Sequence, residues 1–221
     1  MNVIDAIRKR KSIRGYKPDP VSMGILEEIL EIATRAPSSM NTQPWQIAVL
    51  AGDVLDNIRK GNVEMLKAGK MPGKDIPFKP YEGIYKQRQV DLAKDLFQVL
   101  GIAREDREKR DAWMQQGFRF FDAPAAIVLS VEASTDPPTA YSDVGGLAQT
   151  ICLAALKFGL GTCIMGQGIM YPEVVRRFAP IPESQRMYLC ITIGYPDGTA
   201  AANKIESKRE PLANNTAWYG F

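Results

Sequence analysis

The 221-residue chain contains no histidine. That absence removes Ser-His and Cys-His nucleophilic mechanisms and the commonest metal ligand. No metal site is therefore expected, and hard chemistry, if the chain performs any, falls to a bound cofactor. Cysteine is scarce: Cys152, Cys163 and Cys190 sit in apolar surroundings without CxxC spacing. They are expected to be buried free thiols in a reducing compartment. No apolar run approaches the ~18 residues that span a bilayer, and the charged, amphipathic N-terminus is not a secretory signal. A cytoplasmic protein without a membrane partner is expected. No sign of charge dominates either, since the formal net charge is +3. Acidic and basic residues alternate, as in Glu105-Asp106-Arg107-Glu108-Lys109-Arg110, which suits a solvated helix face better than a nucleic-acid stripe. There is no Walker-type loop. The run Gly166-Gln167-Gly168-Ile169-Met170-Tyr171 keeps only the first two glycines of a dinucleotide fingerprint and lies too late for a first βαβ unit.

What is present is a globular pattern, 45% hydrophobic and 24% charged, with enough apolar residues for a sizeable core. Helical spacing is predicted over Met1–Arg10 (Val3, Ile4, Ile7) and after Ser22, a candidate N-cap, through Ile25, Leu26, Ile29, Leu30 and Ala33. Glu27, Glu28 and Glu31 on that helix read as solvent-facing charges. Gln46–Leu50 reads as a strand, and Asp53 opens a helix. Ala68–Pro80, with two glycines and three prolines, reads as a loop. Helices are predicted over Tyr81 to about Leu100 and about Arg104–Phe121, the latter ending in a Phe118, Phe120, Phe121 cluster. Ala123–Val131 is a buried strand, Tyr141–Phe158 a central apolar helix, Tyr171–Phe178 a short helix and Met187–Ile193 a final strand. The alternation predicts an α/β or α+β core with at least about four strands.

Three polar clusters stand out against this background. Arg10, Ser12 and Arg14 alternate, so an extended backbone turns their side chains to one side. They can be simple capping and solubility residues or a phosphate site. Ala36–Trp45 (Ala-Pro-Ser-Ser-Met-Asn-Thr-Gln-Pro-Trp) is bracketed by Pro37 and Pro44, which restrict the backbone. It can be an ordinary connector or a rigid wall presenting amides and hydroxyls to a flat ligand. Gly159, Gly161, Gly166 and Gly168 punctuate the run around Thr162–Met165. A basic tail carries Lys204, Lys208 and Arg209. A phosphate at one end and a planar hydrogen-bonding ring at the other would suit such distributed groups, a description that flavin mononucleotide (FMN) meets.

Arg10-Lys11-Ser12-Ile13-Arg14-Gly15-Tyr16, Ala36–Trp45 and Gly159–Gly166, in this order and spacing, resemble the nitroreductase family of FMN-dependent oxidoreductases. The resemblance runs from Met1 to about Pro211. It implies a single α+β domain over residues 1–221, with a mixed central β-sheet flanked by helices. A variable helical lid insertion is implied at about 69–121, and a C-terminal extension at about 203–221. It further implies an intertwined homodimer with FMN at the subunit interface. By position, Arg10 and Ser12, with Lys11 between them, would serve the phosphate and ribityl end, and Arg14 the flavin N1/O2 edge. Pro37, Ser38, Ser39 and Asn41 would reach the flavin from the neighbouring subunit. Met165 and Gly166 would bring backbone near N5, and Arg209, with Lys208, would bind phosphate. No side chain is assigned as catalytic, since flavin N5 carries the hydride. The expected activity is ping-pong transfer from NAD(P)H to a nitroaromatic, quinone or similar small aromatic acceptor. Reductive dehalogenation, other specialised flavin chemistry and non-catalytic flavin binding stand as alternatives. Tyr81, Tyr85 and Phe121 are the lid residues expected to stack on a planar substrate, or else they belong to the core.

Overall fold

The computed structural model describes residues 2–77 and 79–221. Its elements run α1 (Val3–Lys9), α2 (Met23–Ala33), β1 (Trp45–Ala51), α3 (Gly52–Lys67), α4 (Gly83–Val99), α5 (Arg107–Phe118), β2 (Ala125–Glu132), α6 (Pro137–Lys157), β3 (Gly161–Met165), α7 (Pro172–Phe178) and β4 (Gln185–Gly194). The sheet order is β1-β2-β4-β3, with every neighbouring pair antiparallel. A parallel component enters at the edge, where Ser12 bridges Thr162 of β3. This is the expected α+β mixed sheet flanked by helices.

The sheet is covered on both faces because its central strand β2 is apolar but for Ser130 and Glu132 and is buried at every position before Glu132. Ile127, Leu129 and Val131 of β2 join Ile191 and Ile193 against α2 and α6. Ala126 and Val128 point the other way, with Cys190 and Met187, against α3 and α7. The strand period of two thus divides one apolar run between two cores. On α6, Ala140, Val144, Leu147, Ala148, Ile151, Cys152 and Ala155 are buried, a helical stripe broad enough to cover a sheet face. Ser22 caps α2 as expected, accepting from the Ile25 amide at 3.4 Å.

Two of the boundaries that differ from the sequence expectation have a clear physical cause. α6 begins at Pro137 rather than Tyr141, because Asp136 caps it by accepting from the Thr139 amide and Pro137 suits the first helical turn. The helix expected to reach Phe121 stops at Phe118, and Phe120, Phe121 and Asp122 follow with φ of 58°, 51° and 53°. Left-handed backbone costs roughly 1–2 kcal/mol per non-glycine residue and occurs mostly singly, so three in succession carry roughly 3–6 kcal/mol of strain. Helical spacing of the aromatics gave no sign of that reversal.

Candidate functional site

Segment Ser12–Lys17 runs along the open edge of the sheet. The Ile13 amide donates to Thr162 O at 2.9 Å, and the Lys17 amide donates to Tyr195 O at 2.9 Å. Asn203 locks the segment from outside: its Oδ1 accepts from the Arg14 amide at 2.8 Å, and its Nδ2 donates to Gly15 O at 2.7 Å. The Tyr16 hydroxyl pairs with Thr192 at 2.7 Å, and burial holds its pKa well above the ordinary value. This clamp turns Arg10, Ser12 and Arg14 toward the same strand. Cys163 of β3 reports it: burial raises the thiol, while Arg14, a Ser12 side-chain hydrogen bond and Arg10 pull it down.

Arg10, Lys11 and Arg14 are half-buried. Among the described residues none of them forms an ion pair with a carboxylate. Partly desolvated cations without an internal counter-ion are suited to an external anion. Met165 and Gly166, both half-buried, lie at the far end of the same strand.

Lys74 is a residue that the sequence reading did not single out. A Cβ on Gly166 would lie 2.5 Å from Lys74 Nζ, so the ammonium sits over the turn that ends β3. The loop holding Lys74 has little regular structure, yet it is pinned repeatedly. The Tyr171 hydroxyl donates to Lys70 O at 2.9 Å, and the Gly73 amide to Met170 O at 3.0 Å. Asp75 takes two hydrogen bonds from Arg176, at 3.0 and 2.7 Å, and one from the Met187 amide at 2.9 Å. The loop's own residues carry no such signal, because its partners lie about a hundred residues away.

The Pro37–Asn41 loop stands elsewhere. Ser39 donates its amide to Asp143 near the start of α6 at 3.1 Å, whereas Arg10 exerts its charge on Cys152 of the same helix. Nine residues of helix separate those two positions, about 14 Å at 1.5 Å per residue. Pro37, Ser39 and Asn41 are exposed and Ser38 half-buried. Met40, Asn41 and Gln43 have φ of 48°, 59° and 47°, so the proline bracket encloses a second left-handed segment. Ser38 Oγ steadies it by accepting from the Gln43 amide at 3.0 Å.

Arg209 also stands apart. It is exposed, and its Nη1 donates to Ser207 O and Oγ at 2.9 and 2.8 Å. The tail lies along α4 through an Arg88–Glu210 pair at 3.2 Å and a Lys208–Asp95 pair at 3.6 Å. Of the expected lid residues, Phe121 is buried and packs on Trp113, with ring centroids 5.6 Å apart. Tyr81 and Tyr85 are exposed on a separate groove formed by residues 79–85. Phe121 and Trp113 instead wall an open cavity of about 460 Å³ beside Arg14, Gly15 and Tyr16, lined further by Leu100, Ile102 and the segment after Asp197.

A cation-lined edge on a helix-covered sheet, with a flat-walled cavity next to it, is the frame of a cofactor-dependent α+β protein. Comparison with known proteins gives the particular family. The model of the nitroreductase family matches residues 7–195. A nitrobenzene nitroreductase of Ectopseudomonas oleovorans is 31% identical over 97% of this chain and 95% of its own. Nitroreductase NfnB of Mycolicibacterium smegmatis is 30% identical over 95% of this chain and 89% of its own. The crystal structure of an FMN and NADPH-dependent nitroreductase, NfnB from sphigopyxis sp. strain HMH, superimposes with a TM-score of 0.95 over the whole of both chains, at 28% identity. The chain belongs to the nitroreductase family.

Proposed function

We propose that the chain is an FMN-dependent oxidoreductase that takes electrons from NAD(P)H and passes them to a nitroaromatic, quinone or similar aromatic acceptor. The observation that carries this reading is the set of half-buried cations Arg10, Lys11 and Arg14 on the β3 edge, which have no carboxylate partner among the described residues. The donor set fits FMN. Arg10 and Ser12 supply guanidinium and hydroxyl groups for a phosphate, and Lys74, over the Gly166 turn, sets a cation at the other end of the strand. When bound, FMN would supply a centre that accepts and donates a hydride. Arg14 and Lys74 would hold positive charge where a reduced flavin carries negative charge. The donor and the acceptor would occupy one pocket in turn, which is ping-pong behaviour.

The site is completed by a second copy of the chain. α1 buries no residue and exposes Val3, Ile4 and Ile7, and α4 buries none along its whole length. Helices that leave apolar side chains exposed in this way suit a homodimer. The separation of Pro37–Asn41 from Arg10 within one chain supports donation of that loop to the partner's cofactor. Residues 1–221 then act as one domain, with 69–121 as its lid. Among the described residues no helix is long and apolar enough to cross a membrane.

Purified protein should carry FMN at one per chain, sediment as a dimer and give parallel double-reciprocal plots when NAD(P)H and a nitroaromatic are varied together. A colourless protein that binds no added FMN overturns the reading. Intersecting plots overturn the ping-pong order alone.

A further inference from the structure

The reversal after α5 is the most strained backbone in the lid, and it is held in an unusual way. Arg59 and Asn62, one turn apart on α3, grip it from below. The Arg59 guanidinium donates to Arg119 O at 3.0 Å and also to Ala123 O, the carbonyls on either side of Phe120–Asp122. Asn62 is fully buried, and its Nδ2 donates to Phe118 O at 3.1 Å and to Gly168 O at 2.9 Å. One side chain thus joins the end of the lid helix to the turn that follows Gly166. The two turns are also in contact: a Cβ on Gly168 would fall 2.3 Å from the Phe120 ring, and one on Gly117 would fall 2.2 Å from Gln167 Oε1. The outcome of this bracing is the placement of Phe121. Its ring turns inward against Trp113 and walls the cavity beside Arg14. Strained non-glycine backbone persists where the surroundings over-determine it, and such places are characteristically functional.

We propose that Arg59 and Asn62 are positioning residues of an acceptor pocket. By holding the left-handed Phe120–Asp122 turn they fix Phe121 as the wall on which a flat aromatic acceptor packs in the Arg14 cavity. The volume falls in the range of small-ligand sites, two aromatic rings with aliphatic Leu100 and Ile102 suit the faces of a planar guest, and Arg14, Lys109, Gln116 and Asp197 set polar groups around it. The pocket's use as the acceptor site rests on the oxidoreductase reading; the binding of an aromatic ring there does not require it.

The test uses full-length protein, with and without added FMN, and 4-nitrobenzoate as probe. In the absence of NAD(P)H, binding is read by equilibrium dialysis. Phe121→Ala and Arg59→Met should each weaken it about tenfold or more. In turnover, Arg59→Met and Asn62→Leu should raise KM for 4-nitrobenzoate by a similar factor, leaving FMN content within about twofold of the parent. Asp122→Gly, which relieves a left-handed position, should restore most of the KM in the Arg59→Met background. Unchanged binding in Phe121→Ala, or no recovery with Asp122→Gly, overturns the proposal. Loss of FMN in step with the KM change also overturns it, since α3 would then act on the cofactor. Should Arg59→Met not fold, Arg59→Lys with the same readouts decides, a KM equal to that of the parent being the contrary result. Probe binding with no flavin bound under any condition would leave the pocket standing and remove the oxidoreductase reading.

Discussion

Replacing Arg10 by alanine separates a binding role from a folding role. Arg10 follows α1, a helix that buries nothing, and its guanidinium has no carboxylate partner among the described residues. Its backbone contribution to the helix end, an amide donated to Ala6 O at 2.9 Å, survives the substitution. The flavin-free protein should therefore keep its stability within about 0.5 kcal/mol, the ordinary range for a surface change. A charge-assisted hydrogen bond to phosphate contributes about 1.5–3 kcal/mol. At about 1.4 kcal/mol per factor of ten, Kd for FMN should rise roughly 12- to 150-fold. Fluorescence titration of FMN into flavin-free protein, alongside urea unfolding of the same sample, reads both quantities. Unchanged affinity would refute the phosphate assignment. A parallel loss of stability would refute it too, because the arginine would then be part of the fold.

Arg14→Ala should lower the flavin reduction potential with a milder loss of affinity, measured by dye-coupled redox titration, and an unchanged potential contradicts a role at the N1/O2 edge. Asp75→Asn breaks a pair whose side chains are only 15% and 18% exposed, so urea unfolding should show a loss of about 3 kcal/mol; a loss below about 1 kcal/mol would show that the loop is not held this way. Burial pushes the Cys190 thiol up to about 12 and Cys152 to about 11, from an ordinary 9.0. Below pH 9 folded and unfolded chains both hold these protons, whereas above it the unfolded chain releases them first. Stability should thus be lost as pH rises, by up to about 1.4 kcal/mol per pH unit for each thiol. Cys190→Ala should make that slope shallower, and an unaltered slope in melting curves from pH 8 to 11 would exclude the thiol as its source.

The sheet and its helices were legible because their signals are local. The apolar run Ala123–Val131, the Ser22 cap and the stripe on α6 each follow from residues near in sequence. The Arg10–Arg14 cluster was legible as alternation, and the structure adds that Asn203 clamps it onto β3. What escaped were features made by distant partners. Lys74 sits over Gly166 in a loop pinned by Tyr171, Met170, Arg176 and Met187, all far away in sequence. The Phe120–Asp122 reversal has its flanking carbonyls taken by Arg59 and Asn62 of a distant helix, which a helix-like aromatic spacing does not announce. Tyr81 and Tyr85 fit a lid by residue type, yet they face a separate groove, and Trp113, which no motif marked, stands with Phe121 in the cavity.

The proposed route carries electrons from a nicotinamide to an aromatic acceptor by way of FMN held on the β3 edge. Anaerobic stopped-flow tests it directly: FMN-loaded protein is mixed with NADH or NADPH, and the bleached product is then mixed with a nitroaromatic or a quinone. Complete bleaching by at least one nicotinamide and full return of colour with the acceptor are expected, each in a single exponential no slower than turnover. Flavin that stays oxidised with both nicotinamides, or reduced flavin that no acceptor reoxidises, would contradict it.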